Sequence, residues 1–331
     1  MKAVSFPWLQ KSTTRMTTPE LIKLTDPTSG AEAHILAGYG FNCFRFRVEQ
    51  DGQPIDVLWS EPDFERGDKR ASGSGIPLLF PYPGRLRGQT LNWQSQTYTL
   101  EGDDRLGNAI HGFVLNRPWR VLEQSSTRVV GQFHASQDDA RLLACWPADF
   151  CMTATYELAG NSLRSSFVIE NPDDKPLPCG LGTHPYFRLP LGGASADDCL
   201  VRLPMRRRWE LVDMLPTGNA VPVEEIEQFR AGLPFGQMTF DDVFTDLEFD
   251  SHWCTARVID PSNGSRLVVQ FDDSFRECVI YTPPHRQAVC VEPYTCVPNS
   301  PELHAAGVDA GLRILQPGEQ FTAEVILRFT G

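Results

Sequence analysis

An all-β protein, built as a large antiparallel β-sandwich, is what this 331-residue sequence predicts, and three observations carry that expectation. Glycine and proline, 26 of each, interrupt the chain at short intervals and leave few stretches long enough for an extended helix. The runs between them alternate apolar and polar residues, with the period of two that a half-buried strand requires. Several neighbouring runs are joined by residues that favour a tight hairpin turn.

Taken along the chain, FNCFRFRVEQDGQPIDVLWS predicts two strands around Asp51–Gly52, a pair that tolerates the left-handed backbone of a two-residue turn. A weak helical period shows only in DDARLLACW and, further on, in VEEIEQFRAG. CMTATYELAGNSLRSSFVIE is the clearest hairpin: a strand, a turn at Gly160–Asn161, and a second strand. ARVIDPSNGSRLVVQF repeats that logic with a longer turn from Pro261 to Gly264, and LQPGEQFTAEVILRF turns at Pro317–Gly318 before a last strand. No glycine-rich strand-to-helix phosphate loop occurs, so there is no nucleotide fingerprint. With no short repeat and no low-complexity linker, the expected organisation is an N-terminal tail over residues 1–20 and one domain over residues 21–331. Met16 is a second candidate start within that tail.

A chain that is 41% hydrophobic and 22% charged has the ordinary make-up of a globular protein with a sizeable core. Its net charge of −12 argues against nucleic acid as a partner, because a phosphate backbone calls for a basic surface, and against docking on an anionic membrane. A small molecule suits it better. No apolar run approaches the roughly 18 residues of a membrane span. MKAVSFPWLQK, broken by Pro7, is a poor secretion signal. The nine scattered cysteines form no CxxC pair, which indicates neither a zinc knuckle nor a redox motif and fits a reducing compartment; the expected location is the cytoplasm.

Among the ionisable residues that stand in front of prolines, two are candidates for chemistry. His184 lies in GLGTHPYFRLP, and Glu292 follows the apolar run Ala288 to Val291 in VCVEPYTCVPNS. Proline holds the preceding residue to extended backbone angles, which suits a side chain that must point one way. An imidazole facing a carboxylate is the smallest set for general acid–base catalysis. The plainer alternatives stand beside this: a turn histidine that caps a loop, and a glutamate that marks where a strand meets water. Arg85 follows Gly84 at the exit of PLLFPYPGRLRG, His111 sits between Ile110 and Gly112, and Asp241 lies near Phe240 and Phe244. An arginine fork suits sugar oxygens, although each of the three also reads as an ordinary surface, core or turn residue. A metal site from His111, His184 and Glu292 has no supporting ligand spacing, and no metal is expected.

The ordered set SGIPLLFPYPGRLRG, NAIHGF, GLGTHPYFRLP, FDDVF and VCVEPYTCVPNS resembles the aldose 1-epimerase (galactose mutarotase) family from about residue 20 to the C-terminus. The resemblance implies the mutarotase-type β-sandwich, a cleft for a free hexose, no cofactor, and a monomer or homodimer whose partner is a small-molecule sugar. It implies His184 as general acid, Glu292 as general base, and Arg85, His111 and Asp241 as sugar contacts. The activity implied is interconversion of α- and β-anomers of a free hexose. The alternatives are a hexose-6-phosphate mutarotase and a non-catalytic sugar-binding or sensor protein on the same scaffold.

Three departures touch the sugar preference. Gly84-Arg85 stands where well-known galactose mutarotases have Asn-Arg, Asp242 where they have histidine, and His-Gly-Phe where they have His-Gly-Gly. The phosphosugar branch tends to carry an arginine two residues beyond the HGF motif, where this chain has Leu115 and reaches its first arginine at Arg117; Arg85 and Arg87 are the remaining phosphate candidates. For the expected reaction His184 should be charged, and nearby carboxylates should raise its pKa to keep it so.

Overall fold

The computed structural model describes residues 20–331, and of the expected N-terminal tail only Glu20 falls within them. Two large antiparallel sheets face each other. The nine-stranded sheet is centred on Cys151–Ala159, Ser162–Glu170 and Gln320–Thr330, which pair in full register. The eight-stranded sheet runs through Arg207–Val212, Asp241–Thr245, Glu277–Tyr281 and Ala288–Tyr294. A four-stranded sheet begins at Leu21–Thr25 and ends with the hairpin Asn42–Gln50 and Gln53–Asp56. This is the antiparallel β-sandwich that the sequence predicts.

The turns follow their chemistry. Asp51 and Gly52 both take positive φ, 52° and 72°, as a twist-matched two-residue hairpin turn requires. Trp253–Ile259 and Arg266–Asp272 pair across the Pro261–Gly264 turn. Both weak helical periods become short helical turns, Ala135–Asp138 continued by a 3₁₀ turn at Ala140–Ala144, and Ile226–Ala231. The Pro317–Gly318 turn is not a hairpin, because Arg313–Leu315 before it pairs with Leu177–Cys179 instead of with the last strand.

One continuous apolar cluster fills the space between the layers. It takes Phe244, Ile280, Val289 and Val291 from the eight-stranded sheet, and Ala256, Val258, Val269 and Phe271 from the nine-stranded one. Because side chains alternate across a strand, Val291 facing this core sends Cys290, Glu292 and Tyr294 to the other face. That outward face of the eight-stranded sheet carries the candidate site. All nine cysteines are free thiols, and eight of them are buried. Among the described residues, no helix is long and apolar enough to cross a membrane.

Candidate active site

Strand register assembles the floor of the site. One cross-strand row runs Asp241, Tyr281, Cys290, Tyr186, and the next runs Val243, Val279, Glu292. His184 enters from the side. Its backbone N–H donates to the Pro77 carbonyl (3.0 Å), and with Pro185 it fills the break between Gly182–Thr183 and Tyr186–Arg188, which both pair with Ala288–Tyr294. The glycine upstream has a spatial reason: a Cβ on Gly182 would lie 2.6 Å from Pro83 and 2.7 Å from Tyr294.

His184 Nε2 stands 3.3 Å from Glu292 Oε1. Both residues are buried, at 6% and 1% exposure, yet both line a pocket of about 180 Å³ that opens to solvent. The Tyr294 hydroxyl donates to Glu292 Oε2 (2.7 Å), which fixes one carboxyl oxygen and leaves Oε1 toward the imidazole without a hydrogen bond. Tyr186 stacks flat on the His184 ring at 4.8 Å between centroids, and Tyr281 meets its edge at 6.0 Å. These rings set the imidazole's plane and supply apolar surface for a ligand.

Burial dominates the electrostatics of the pair. It pushes His184 down to about 3, with the positive charges of Arg70 and Arg85 adding to the fall. The same loss of water pushes the Glu292 carboxyl well above its usual range, against the lowering effect of the Tyr294 hydrogen bond. The expectation of a charged His184 is therefore corrected. Desolvation disfavours the charged form of both groups, so the pair favours its uncharged form.

The three expected sugar contacts also line this pocket. His111 holds a positive φ of 66°, an uncommon conformation for a residue with a side chain, beside Gly112, whose φ is 69°. Its ring lies 5.5 Å from that of His184, and its Nδ1 is buried without a partner. Burial keeps its pKa well below the usual value, with the positive charges of Arg85 and Arg70 adding to the fall. Arg85 Nε donates to Asp104 (2.7 Å), which leaves its terminal nitrogens for the cavity. Asp241 sits at the solvent-reachable edge, its carboxyl raised by partial burial and lowered in turn by Arg85.

The departures in the motifs have local causes. A Cβ on Gly84, whose φ is 66°, would lie 2.6 Å from Pro298. Asp242 turns away from the pocket toward Arg208 (3.6 Å), and Phe113 packs its edge on Tyr82 in the core. Arg87 does not line the pocket and pairs instead with Glu302 (3.0 Å). Sequence reasoning missed Arg70 and Ser72, Tyr281 and Tyr294, and the lip formed by Leu211 and Met214 at a hairpin tip. The Tyr294 signal was present: it lies two residues after Glu292 and therefore on the same strand face. Arg70, in an irregular segment, left no such trace.

His184, Cys290 and Glu292 place one donor atom each within 4.8 Å of one another, the side chains here best placed to hold a metal. Burial lifts the Cys290 thiol well above its usual pKa, so without a metal it keeps its proton. An imidazole and a carboxyl at 3.3 Å are close enough to exchange a proton.

Residues 20–328 match the aldose 1-epimerase family. Among solved structures, a galactose mutarotase-like protein from Clostridium acetobutylicum is similar at 22% identity and a TM-score of 0.82, over 95% of this chain and 99% of that one. An aldose epimerase homologue from C. elegans is similar at 18% identity and a TM-score of 0.78, over 94% and 99%. A galactose 1-epimerase from Lactobacillus acidophilus is similar at 19% identity and a TM-score of 0.71, over 94% and 98%. At such identities these likenesses speak to the fold, and the family match, running over nearly the whole chain, is the stronger finding: the chain belongs to the aldose 1-epimerase family.

Proposed function

We propose that the chain is a mutarotase, interconverting the α- and β-anomers of a free hexose through ring opening and reclosure. The observation that carries this is the 3.3 Å approach of His184 Nε2 to Glu292 Oε1 on the floor of a solvent-reachable pocket. Ring opening removes a proton from the anomeric hydroxyl and delivers one to the ring oxygen. Rotation about C1–C2 then presents the other face of the aldehyde, and closure runs both transfers backward. A pair holding one proton between a base and an acid serves both directions.

Glu292 takes the anomeric proton and His184 protonates the ring oxygen, so the proton that burial favours on the carboxyl must first cross to the imidazole. Tyr294 steadies the carboxyl during that exchange. Arg85, His111 and Asp241 hold the sugar hydroxyls, and Tyr186 and Tyr281 face the ring. Each transfer group contributes on the order of 10²–10⁴-fold, sufficient for a reaction already feasible in water.

The test is anomer exchange followed by polarimetry or exchange NMR on freshly dissolved galactose, glucose and their 6-phosphates. Acceleration of a free hexose supports the proposal. Acceleration of the 6-phosphates alone would favour the phosphosugar alternative, and binding without acceleration would make the protein a sensor.

A further inference from the structure

Cys290 stands two residues before Glu292 on Ala288–Tyr294, so the strand sends both side chains to the same face. Tyr186 lies opposite Cys290 across the pairing, and its ring stacks on His184 at 4.8 Å. The thiol is thereby held beneath the acid–base pair: His184 and Glu292 line the pocket, and Cys290, wholly buried, does not. The proton transfers of ring opening make no use of it. Among the described residues, this imidazole, thiol and carboxyl form one trio whose donor atoms all lie within 4.8 Å of one another.

The geometry of the trio suits a shared ligand. Glu292 Oε1, on a residue only 1% exposed, has no hydrogen-bond partner although His184 Nε2 is 3.3 Å away. Tetrahedral zinc, with bonds of about 2.0–2.2 Å to nitrogen and oxygen, holds two such donors about 3.4 Å apart, so this pair is already at coordinating separation. A thiolate about 2.3 Å from the ion stands about 3.6 Å from the other donors, a short approach from its place within 4.8 Å. The carboxyl is also steadied from outside the trio, because the Tyr294 hydroxyl donates to its other oxygen (2.7 Å), the outer support that metal-ligating carboxylates receive.

Donor chemistry selects the ion. Thiolate and imidazole favour zinc-class cations, whereas magnesium and calcium prefer shells of oxygen alone. Arg70 and Arg85 line the pocket and oppose a cation, but Asp104 pairs with Arg85 and Asp241 stands at the rim, which offsets part of that repulsion. Binding is a displacement of protons. The S–H bond of Cys290 and the one N–H or O–H bond that holds the pair's proton break, both protons leave to solvent, and thiolate, carboxylate and an imidazole lone pair each bond the metal. No oxidant or reductant is needed. Three protein donors leave a fourth position for water on the pocket side.

We propose that His184, Cys290 and Glu292 form a reversible site for a zinc-class cation, and that the bound ion arrests the acid–base pair by occupying the lone pairs that would carry protons. Only the arrest rests on the mutarotase reading; the site itself does not.

Two measurements on the full chain, freed of metal by a chelator, test it. The first is binding: calorimetric titration with Zn²⁺, and absorption spectra with Co²⁺ in its place, where a thiolate ligand gives a charge-transfer band in the near ultraviolet. The expected result is a Kd on the order of micromolar and a thiolate band in the wild type. Cys290→Ser and Cys290→Ala, verified as folded by circular dichroism, should lose the band and bind Zn²⁺ about 100-fold more weakly. The wild-type cobalt spectrum carries this arm even where a variant does not fold. The second is exchange NMR on a free hexose: Zn²⁺ at about ten times its Kd should lower kcat/KM about tenfold, a chelator should restore it, and Mg²⁺ should do nothing. No thiolate band, a band unmoved in folded Cys290→Ser, or equal effects of Mg²⁺ and Zn²⁺ would each overturn the site. Zn²⁺ bound through Cys290 with anomer exchange undiminished would overturn the arrest. Binding through Cys290 by a protein that exchanges no anomer would keep the site and remove the mutarotase reading instead.

Discussion

At the scale of single residues, the site trades solvent for geometry. His184 and Glu292 are brought to 3.3 Å on a face where Tyr186, Tyr281 and Tyr294 exclude most water, and burial moves their two pKa values in opposite directions. The pH dependence follows from those directions. Activity is lost on the acid side only when His184 takes up a second proton for the pair, near its folded value of about 3. It is lost on the alkaline side when the pair gives up its one proton, above the ordinary carboxylate range. The kcat/KM profile of the free enzyme should therefore show no inflection near ~6.5, the ordinary histidine value. An inflection there would mean that the imidazole titrates as if in water.

Which residues act was legible in the sequence where the signal was local. Proline after His184 and after Glu292, and glycine beside Arg85 and His111, mark stiff or tightly approached backbone. What those residues do to each other's protonation was not legible, because desolvation depends on Tyr186 and Tyr281, which reach the pair only through sheet register.

At the scale of elements, the hairpin Arg207–Val212 and Leu215–Pro222 forms a lip over the pocket, with Leu211 and Met214 on its inner side. Its turn is strained, since Asp213 and Met214 take φ of 50° and 64° without being glycine. Trp209 anchors it by donating its indole N–H to Glu277 Oε2 (3.0 Å) inside the fold. Burial raises the Glu277 carboxyl to about 8. A group whose folded pKa lies above its unfolded value binds more protons in the native state, so stability is fully present below the unfolded value and falls as pH rises toward about 8. Glu277→Gln keeps an acceptor for Trp209 and removes the titration. Thermal unfolding should then show the wild type losing Tm between about pH 5 and about pH 8 and the variant holding more nearly level. Parallel curves would contradict this.

Hairpins were the part of the fold that the sequence disclosed most fully, because turn chemistry and alternation are both local, as at Gly160–Asn161. The turn at Pro317–Gly318 and the strand after it were legible too, but the partner of Arg313–Leu315 was not, because it lies more than a hundred residues away at Leu177–Cys179.

At the scale of the molecule, the four-stranded sheet is keyed to the nine-stranded one by Phe41. Its ring stacks on Trp119 at 5.4 Å and on Tyr156 at 5.5 Å, and lies over Gly131, where a Cβ would come within 2.6 Å of a second ring carbon. Gly131→Ala should overpack that junction and cost about 1–3 kcal/mol, read as a lower denaturation midpoint with anomer exchange per folded molecule retained. An unchanged midpoint would mean that the junction yields freely.

On the outward face of the eight-stranded sheet, function comes down to one pair of side chains, His184 and Glu292. Glu292→Gln preserves shape and an acceptor for Tyr294 while removing the carboxyl that exchanges the proton. Exchange NMR on a free hexose, with circular dichroism to verify folding, tests it most directly. The expected result is a folded protein whose acceleration falls by about 10²–10⁴-fold, toward the rate in buffer. A folded Glu292→Gln protein that exchanges anomers at nearly the wild-type rate would contradict it.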